Sequence, residues 1–358
     1  MPHDPCIDLL QRLVRSPSIS GNEAEAVQIY ADFAQHHGFT PHIDGRNVYF
    51  LWHQTEGPTL LLNSHLDTVR ASTTWTRDPW DGAIEEDRLH GLGANDAKGS
   101  VAAQFGAALT LRDQGFPGNL LVCASCDEET GGEGMERIAH TLPTYHAALI
   151  GEPNNFAIAA GQRGLVKTRI HLSGQRAHAS RPWQGRNAIH QSTQLIENLL
   201  TPDLNIPGDL TKATLQVTLI EGGTQSNVVP DHCTITLDCR TTPEFNNERM
   251  LEHIHNTATA LNARVEVISQ RFKPCQTPPT SALVQAAQAA TMSQSVTVFP
   301  SVCDLFWVAH VPSLVMGPGQ PERSHQADEF ILIPEVLRGA QTYAAIAQAW
   351  WERVQPTP

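Results

Sequence analysis

Apolar positions along this chain fall into two kinds of run, and the two kinds alternate. Short uninterrupted runs at 48–52, 60–62, 120–124 and 147–150 predict strands buried on both faces. The longer stretches at 97–111 and 132–140 between them predict helices. Ser20 and Glu23 stand at capping-box spacing ahead of a periodic stretch that reaches Gly38, so a helix opened by that box and stopped at the glycine is expected. Strands alternating with helices imply an α/β fold whose sheet has parallel members.

The middle of the chain reads differently. Expected in order are a strand at 165–172, a helix at 187–200, strands at 214–220 and 234–239, a helix at 248–261 and a strand at 265–268. The order β-α-β-β-α-β is that of a ferredoxin-like unit, a compact domain in its own right. The proline-rich stretch 273–279 then returns the chain to helices at 281–292 and 334–354, with an apolar segment at 314–316 between them. The expected organisation is a mixed, largely parallel α/β domain over 1–163 and 275–358, interrupted by an inserted domain over 164–274.

Composition narrows the function. The 358 residues are 41% hydrophobic and 17% charged, ordinary for a folded protein with a sizeable core. A formal charge of −13 with no Lys/Arg run argues against nucleic acid and anionic membrane partners. No apolar run approaches the roughly 20 residues of a membrane span, and the opening Met1-Pro-His-Asp lacks the features of a signal peptide. Seven scattered cysteines fit a reduced, cytoplasmic protein, with Cys123 and Cys126 read as buried strand residues.

The candidate chemistry lies where the apolar runs end. His65-Leu-Asp67 follows one strand, Asp127-Glu128-Glu129 a second, and Glu152 a third; Asp96 lies in a glycine-rich turn and His325 in Arg323-Ser-His-Gln-Ala-Asp-Glu329. Carboxylates and imidazoles are the ligands that zinc and similar divalent cations take, and open α/β sheets carry their sites at the carboxyl ends of strands. Asp67 is placed to accept the second ring N–H of His65. Read singly, His65 and Asp67 fit an exposed strand end, and Asp127–Glu129 a solvated acidic turn. The glycines near Asp96 do not make a dinucleotide fingerprint, because the third is missing and an aspartate there would repel a pyrophosphate.

Taken together, the five ligand motifs resemble, in order and over essentially the whole chain, the co-catalytic zinc deacylases and aminoacyl peptidases. That family includes acetylornithine deacetylase and succinyl-diaminopimelate desuccinylase. The resemblance implies two divalent metals per chain, zinc or else cobalt. Asp96 would bridge them, His65 and Glu152 would complete one site, and Glu129 and His325 the other. It also implies Glu128 as general base, Asp67 as the residue orienting His65, and a homodimer in which His178 of one inserted domain reaches the other chain's site. Asn227 and Arg240 match positions that hold a substrate carboxylate; alone they read as a turn amide and a surface cation.

The implied reaction is amide hydrolysis of a small N-acyl amino acid. The segments around Val298–Asp304 and Gly222–Pro230 look most like N-acyl-ornithine deacetylases of arginine biosynthesis. The desuccinylase, a dipeptidase or a carboxypeptidase are alternatives, and a non-catalytic dimeric binding protein is the reading from another class. Asp304 either faces a cationic substrate side chain or is a surface acid.

Overall fold

The apolar runs at 60–62 and 120–124 become adjacent parallel strands at the middle of a mixed sheet. Seven of its nine strands run, in spatial order, Pro41–Asp44, Asn47–Trp52, Asn119–Ser125, Thr59–His65, Ala147–Ile150, Ser313–Val315 and Ile158–Gln162. The contacts among Asn119–Ser125, Thr59–His65, Ala147–Ile150 and Ser313–Val315 are parallel, and the flanking ones antiparallel. Every residue of Thr59–His65, Asn119–Ser125 and Ala147–Ile150 is buried, which is why these strands read as continuous apolar runs.

The computed structural model describes residues 4–201 and 204–355, so the first three residues of the N-terminus lie outside the described residues. The chain divides into two compact units. The first comprises Met1–Gly161, Thr277–Thr297 and Cys303–Pro358, the second Gln162–Gln276 and Val298–Val302.

In the first unit the helix Gly99–Asp113 packs against Ile333–Val354 and Pro5–Arg15. At Gly106 a Cβ would lie 2.0 Å from Cys6 Sγ, so glycine is what lets Gly99–Asp113 approach the first helix so closely. Stacked Phe39 and Phe50 meet Phe105 edge-on in the same core. The expected capping box is not formed. The helix Ala24–His36 starts without a side-chain cap, because Ser20 donates to Asp67 and Glu23 pairs with Arg46. The helix Pro5–Arg15, capped by Asp4, was not among the elements expected from the sequence.

The second unit is a four-stranded antiparallel sheet in the order Thr214–Gly222, His232–Thr241, Gly164–Ser173, Arg264–Ser269, accompanied by the helices Ala188–Leu199 and Asn247–Thr259. Along the chain this is strand order 2-3-1-4 with β-α-β-β-α-β connectivity, the ferredoxin-like arrangement. Cys233, Ile235, Leu237 and Cys239 alternate inward and join Met250, Ile254 and Leu195 in its core. Thr214–Gly222 is an edge strand that leaves Leu219 and Ile220 exposed.

Leu62 sits fully buried in the central strand. Leu62→Ala is expected to destabilise the first unit by about 2–5 kcal/mol, read as a lower urea midpoint at unchanged slope; a shift within error would mean the centre of this sheet is not the stability core.

Candidate metal centre

Three parallel strands end together, and each delivers an acid or an imidazole at its carboxyl end. His65 closes Thr59–His65; two residues beyond Asn119–Ser125, Asp127 takes a left-handed conformation (φ 55°) and starts the single turn Glu128–Thr130; Glu152 lies two residues beyond Ala147–Ile150. The chain leaves that acidic turn through Gly131 and Gly132, both at positive φ. A Cβ at Gly132 would lie 2.6 Å from Trp307 Nε1.

Asp96 enters from the tight turn Ala94–Lys98, and its two carboxylate oxygens face different histidines. Oδ1 lies 3.3 Å from His65 Nε2, and Oδ2 lies 3.6 Å from His325 Nε2. His325 Nε2 is also 3.0 Å from Glu129 Oε2. Ligand atoms of His65, Asp96 and Glu129 fall within 4.8 Å of one another, and so do those of His65, Glu128 and Glu152. Glu128 and Glu129, adjacent in sequence, thus turn to different partners. The side chain of His325 is 52% exposed while His65 and Glu152 are buried, so the centre opens on the His325 side.

Residues outside the ligand set hold these groups in place. Asp67 Oδ1 accepts the backbone N–H of Glu128, and Oδ2 accepts that of Glu129 and the Ser20 hydroxyl. His65 Nδ1 lies 3.0 Å from the backbone carbonyl of Asp67 and 3.4 Å from its carboxylate, so the expected orienting contact comes first from the main chain. The Asp67 carboxylate is already engaged by the acidic turn. Glu329 Oε1 accepts the N–H groups of Asn95 and Asp96 and fixes the Asp96 turn. Buried Lys98 donates to the carbonyls of Leu13 and Ser16. Neither Ser20 nor Glu329 stood out in the sequence as a supporting residue.

A second group, Glu23, Cys126 and Asp127, also brings possible ligand atoms together. There the Arg46 guanidinium bridges both carboxylates, and Glu23 accepts the N–H of Asp127. Arg46 already supplies the positive charge, and the cluster serves to brace the acidic turn.

The electrostatics of the main centre call for cations. Burial pushes Glu128, Glu129 and Glu152 above the usual carboxylate range, and for Glu128 and Glu152 other nearby acids push the same way. Glu152 Oε1 is buried with no hydrogen-bond partner among the described residues. Asp96 is also penalised by burial, but the hydrogen bond and charge of His65 outweigh it and hold Asp96 low. Separations of 3.3 and 3.6 Å are long for hydrogen bonds yet close to the ~3.4 Å between two ligand atoms, each about 2.1 Å from one tetrahedral cation. The donor set therefore fits a pair of divalent cations sharing Asp96.

The remaining candidates lie in the second unit. His178 is exposed; its Nδ1 accepts the Ser180 backbone N–H at 3.1 Å. Asn227 is exposed in a turn, where its carbonyl accepts the N–H of Ala179. Arg240 pairs with Asp238 on its own strand at 2.8 Å. Asp304, in the first unit, is not a surface acid: it is 1% exposed and bonded to Ser125 and Asn63. None of the seven cysteines forms a disulfide. No described helix is long and apolar enough to cross a membrane.

Carboxylates and imidazoles gathered at the mouth of a parallel sheet, in a chain that also carries a ferredoxin-like unit, define a metal-dependent hydrolase of amide bonds. The chain belongs to peptidase family M20/M25/M40, whose pattern matches residues 61–349. Over 345 residues it is 29% identical to a putative succinyl-diaminopimelate desuccinylase of Mycobacterium tuberculosis, covering 93% of this chain and 95% of the relative. It is likewise 29% identical over 353 residues to acetylornithine deacetylase of Proteus mirabilis, covering 91% of each. Among solved structures, aminopeptidase PepT of Bacillus cereus superposes with a TM-score of 0.81 at 21% identity, covering 97% of this chain and 98% of the other. A dinuclear metal-binding peptidase of Bacillus subtilis superposes with a TM-score of 0.71 at 18% identity, covering 96% of each chain.

The hydrogen bond that His325 donates to the Glu129 carboxylate raises His325 to about 9 in the metal-free chain. A cation taken up through His325 must displace that proton. Metal affinity is therefore expected to climb as pH rises towards about 9 and then level off. Calorimetry at pH 7.5 in buffers of different ionisation enthalpy should register proton release on binding; zero release would exclude His325 as a ligand.

Proposed function

We propose that this chain removes the acyl group from an N-acylated ornithine or a close relative, using two divalent metals, zinc or else cobalt. The observation that carries this reading is Asp96, each of whose oxygens faces a different histidine. In this reading Asp96 would bridge the metals, His65 and Glu152 would complete one site, and Glu129 and His325 the other. When bound, the cations supply an acidified water and an electrophile for the amide carbonyl. Glu128 takes the proton from that water as it attacks the carbonyl carbon, then gives it to the leaving nitrogen as the C–N bond breaks. Burial and neighbouring acids raise the proton affinity of Glu128, which suits a group that must both accept and return a proton. Asp67 holds the base in place through the amides of Glu128 and Glu129.

Charge supports a cationic substrate. The first unit holds twelve Lys and Arg against twenty-seven Asp and Glu, and the second twelve against ten. The negative charge thus belongs to the unit that carries the metal centre, where it would attract an ammonium group. The relative from Mycobacterium tuberculosis, as similar as the one from Proteus mirabilis, supports the second reading, a desuccinylase acting on succinyl-diaminopimelate.

We further propose a homodimer in which the inserted unit of each chain serves as lid and dimerisation domain and lends His178 to the other chain's site. Because a backbone N–H can only donate, its bond to Nδ1 leaves Nε2 carrying the proton. His178 would then offer an N–H to the oxyanion of the tetrahedral intermediate. The edge strand Thr214–Gly222, with exposed Leu219 and Ile220, supports pairing between two copies. Asn227 and Arg240 would hold the substrate carboxylate. Seven cysteines kept out of disulfides support a reduced, cytoplasmic setting.

The test is amine release by metal-loaded protein from N-acetyl-L-ornithine, N-succinyl-L-ornithine, N-acetyl-L-citrulline and N-succinyl-diaminopimelate. Turnover of an ornithine or citrulline compound is expected; preference for the diaminopimelate compound would favour the second reading, and inactivity on all four would overturn both. Glu128→Gln should keep its metal while turnover falls by about 10²–10⁴; hydrolysis at the parent rate would remove Glu128 as the base. Mixing His178→Ala with Glu128→Gln and allowing subunit exchange should restore activity to about a quarter of the parent, because half the dimers then hold one complete site. No recovery would place His178 in its own chain's site or outside the chemistry.

A further inference from the structure

Asp304 is a buried acid for which the mechanism above has no use. Its Oδ2 accepts from Ser125 Oγ at 2.6 Å and from Asn63 Nδ2 at 2.9 Å, and Asn63 Nδ2 lies 3.4 Å from Ser125 Oγ. These partners sit on the two central parallel strands. Ser125 lies opposite His65 in the register, Asn63 precedes His65 by two residues, and Ser125 precedes Glu128 by three. Oδ1 is buried with no hydrogen-bond partner among the described residues. A Cβ at Gly132, in the loop leaving the acidic turn, would come within 3.4 Å of that oxygen. The carboxylate therefore lies directly beneath the strand ends that carry His65 and Glu128, with one oxygen tied to the strands and the other unsatisfied.

A half-satisfied carboxyl in so dry a place is expensive to ionise. Burial pushes Asp304 up to about 6 despite the hydrogen bonds from Ser125 and Asn63, and its charge in turn raises Glu128 and Glu152. Strand clamping alone does not explain the choice of residue, since a neutral asparagine could accept both hydrogen bonds. What asparagine cannot supply is the negative charge. We infer that Asp304 is a positioning residue that acts as a buried counter-charge for the metal pair, strengthening metal retention from beneath the ligand shell without itself ligating. This inference rests on the two-metal reading above. Two divalent cations bring a charge of +4 to a set of four carboxylates, Asp96, Glu128, Glu129 and Glu152, one of which must also accept a proton. A further anion below the shell offsets part of what remains, and the cations in turn hold Asp304 ionised.

The test is Asp304→Asn, which keeps the shape and both hydrogen bonds but removes the charge. Zinc affinity, measured by competition with a chromophoric chelator, is expected to fall by about tenfold or more, within the 10- to 100-fold range for residues just outside a ligand shell. The melting temperature of the metal-free variant should stay at or above that of the metal-free parent, because a half-paired buried anion has gone. A structural clamp predicts the opposite pair of results, so parent-like affinity with a lowered metal-free melting temperature, or failure to fold, would overturn the inference. Ser125→Ala keeps the charge and loosens the clamp, and should change zinc affinity by less than about threefold if charge is the active element; a loss as large as that of Asp304→Asn would also overturn it. Should the parent protein itself bind no zinc, the two-metal reading has failed rather than the role of Asp304 within it.

Discussion

The repulsion among buried carboxylates is the constraint on which this structure turns. Four acids, Asp96, Glu128, Glu129 and Glu152, converge where three parallel strands end, and burial makes each reluctant to carry charge. Left to themselves such groups would hold protons or move apart. Two histidines cannot neutralise them, and no Lys or Arg side chain contacts any of the four through a described hydrogen bond or ion pair. Divalent cations resolve the conflict, so one account covers both the electrostatic cost of the site and the chemistry attributed to it.

The rest of the first unit holds that costly arrangement open. Asp67 uses both oxygens on the amides of the acidic turn, and Glu329 uses one on the amides beside Asp96. Arg46 spans Glu23 and Asp127 behind the turn, so these outer acids are paired with a guanidinium while the inner ones are not. Gly132 leaves the acidic turn where any side chain would strike Trp307. Backbone amides do much of this work, and they sit on elements whose apolar sides are locked into the core.

The candidate ligands His65, Asp96, Glu129 and Glu152 are legible because each follows a buried strand or lies in a glycine turn, where a polar side chain has no packing role, whereas His325 follows a short exposed turn and carries no such signal. The strands ending at 65, 125 and 150 could be located from apolar runs, although the run at 60–62 stops three residues short of His65, and the ferredoxin-like unit could be read from the order of its periodic segments. The supporting residues could not be read that way. Ser20 reaches Asp67 across 47 positions, Glu329 reaches Asp96 across 233, and Asp304 reaches Asn63 across 241. Periodicity and capping signals report neighbours within a few residues. Ser20 and Glu23 show the consequence: their spacing matches a capping box, yet in the fold each serves a partner from another strand end.

The central claim is that Asp96 joins two cations. Anomalous diffraction from zinc-loaded crystals tests it most directly. The account predicts two peaks roughly 3.5–4 Å apart, one between His65 and Asp96 Oδ1 and the other between Asp96 Oδ2 and His325. A single peak, or a peak lodged among Glu23, Cys126 and Asp127, would contradict it.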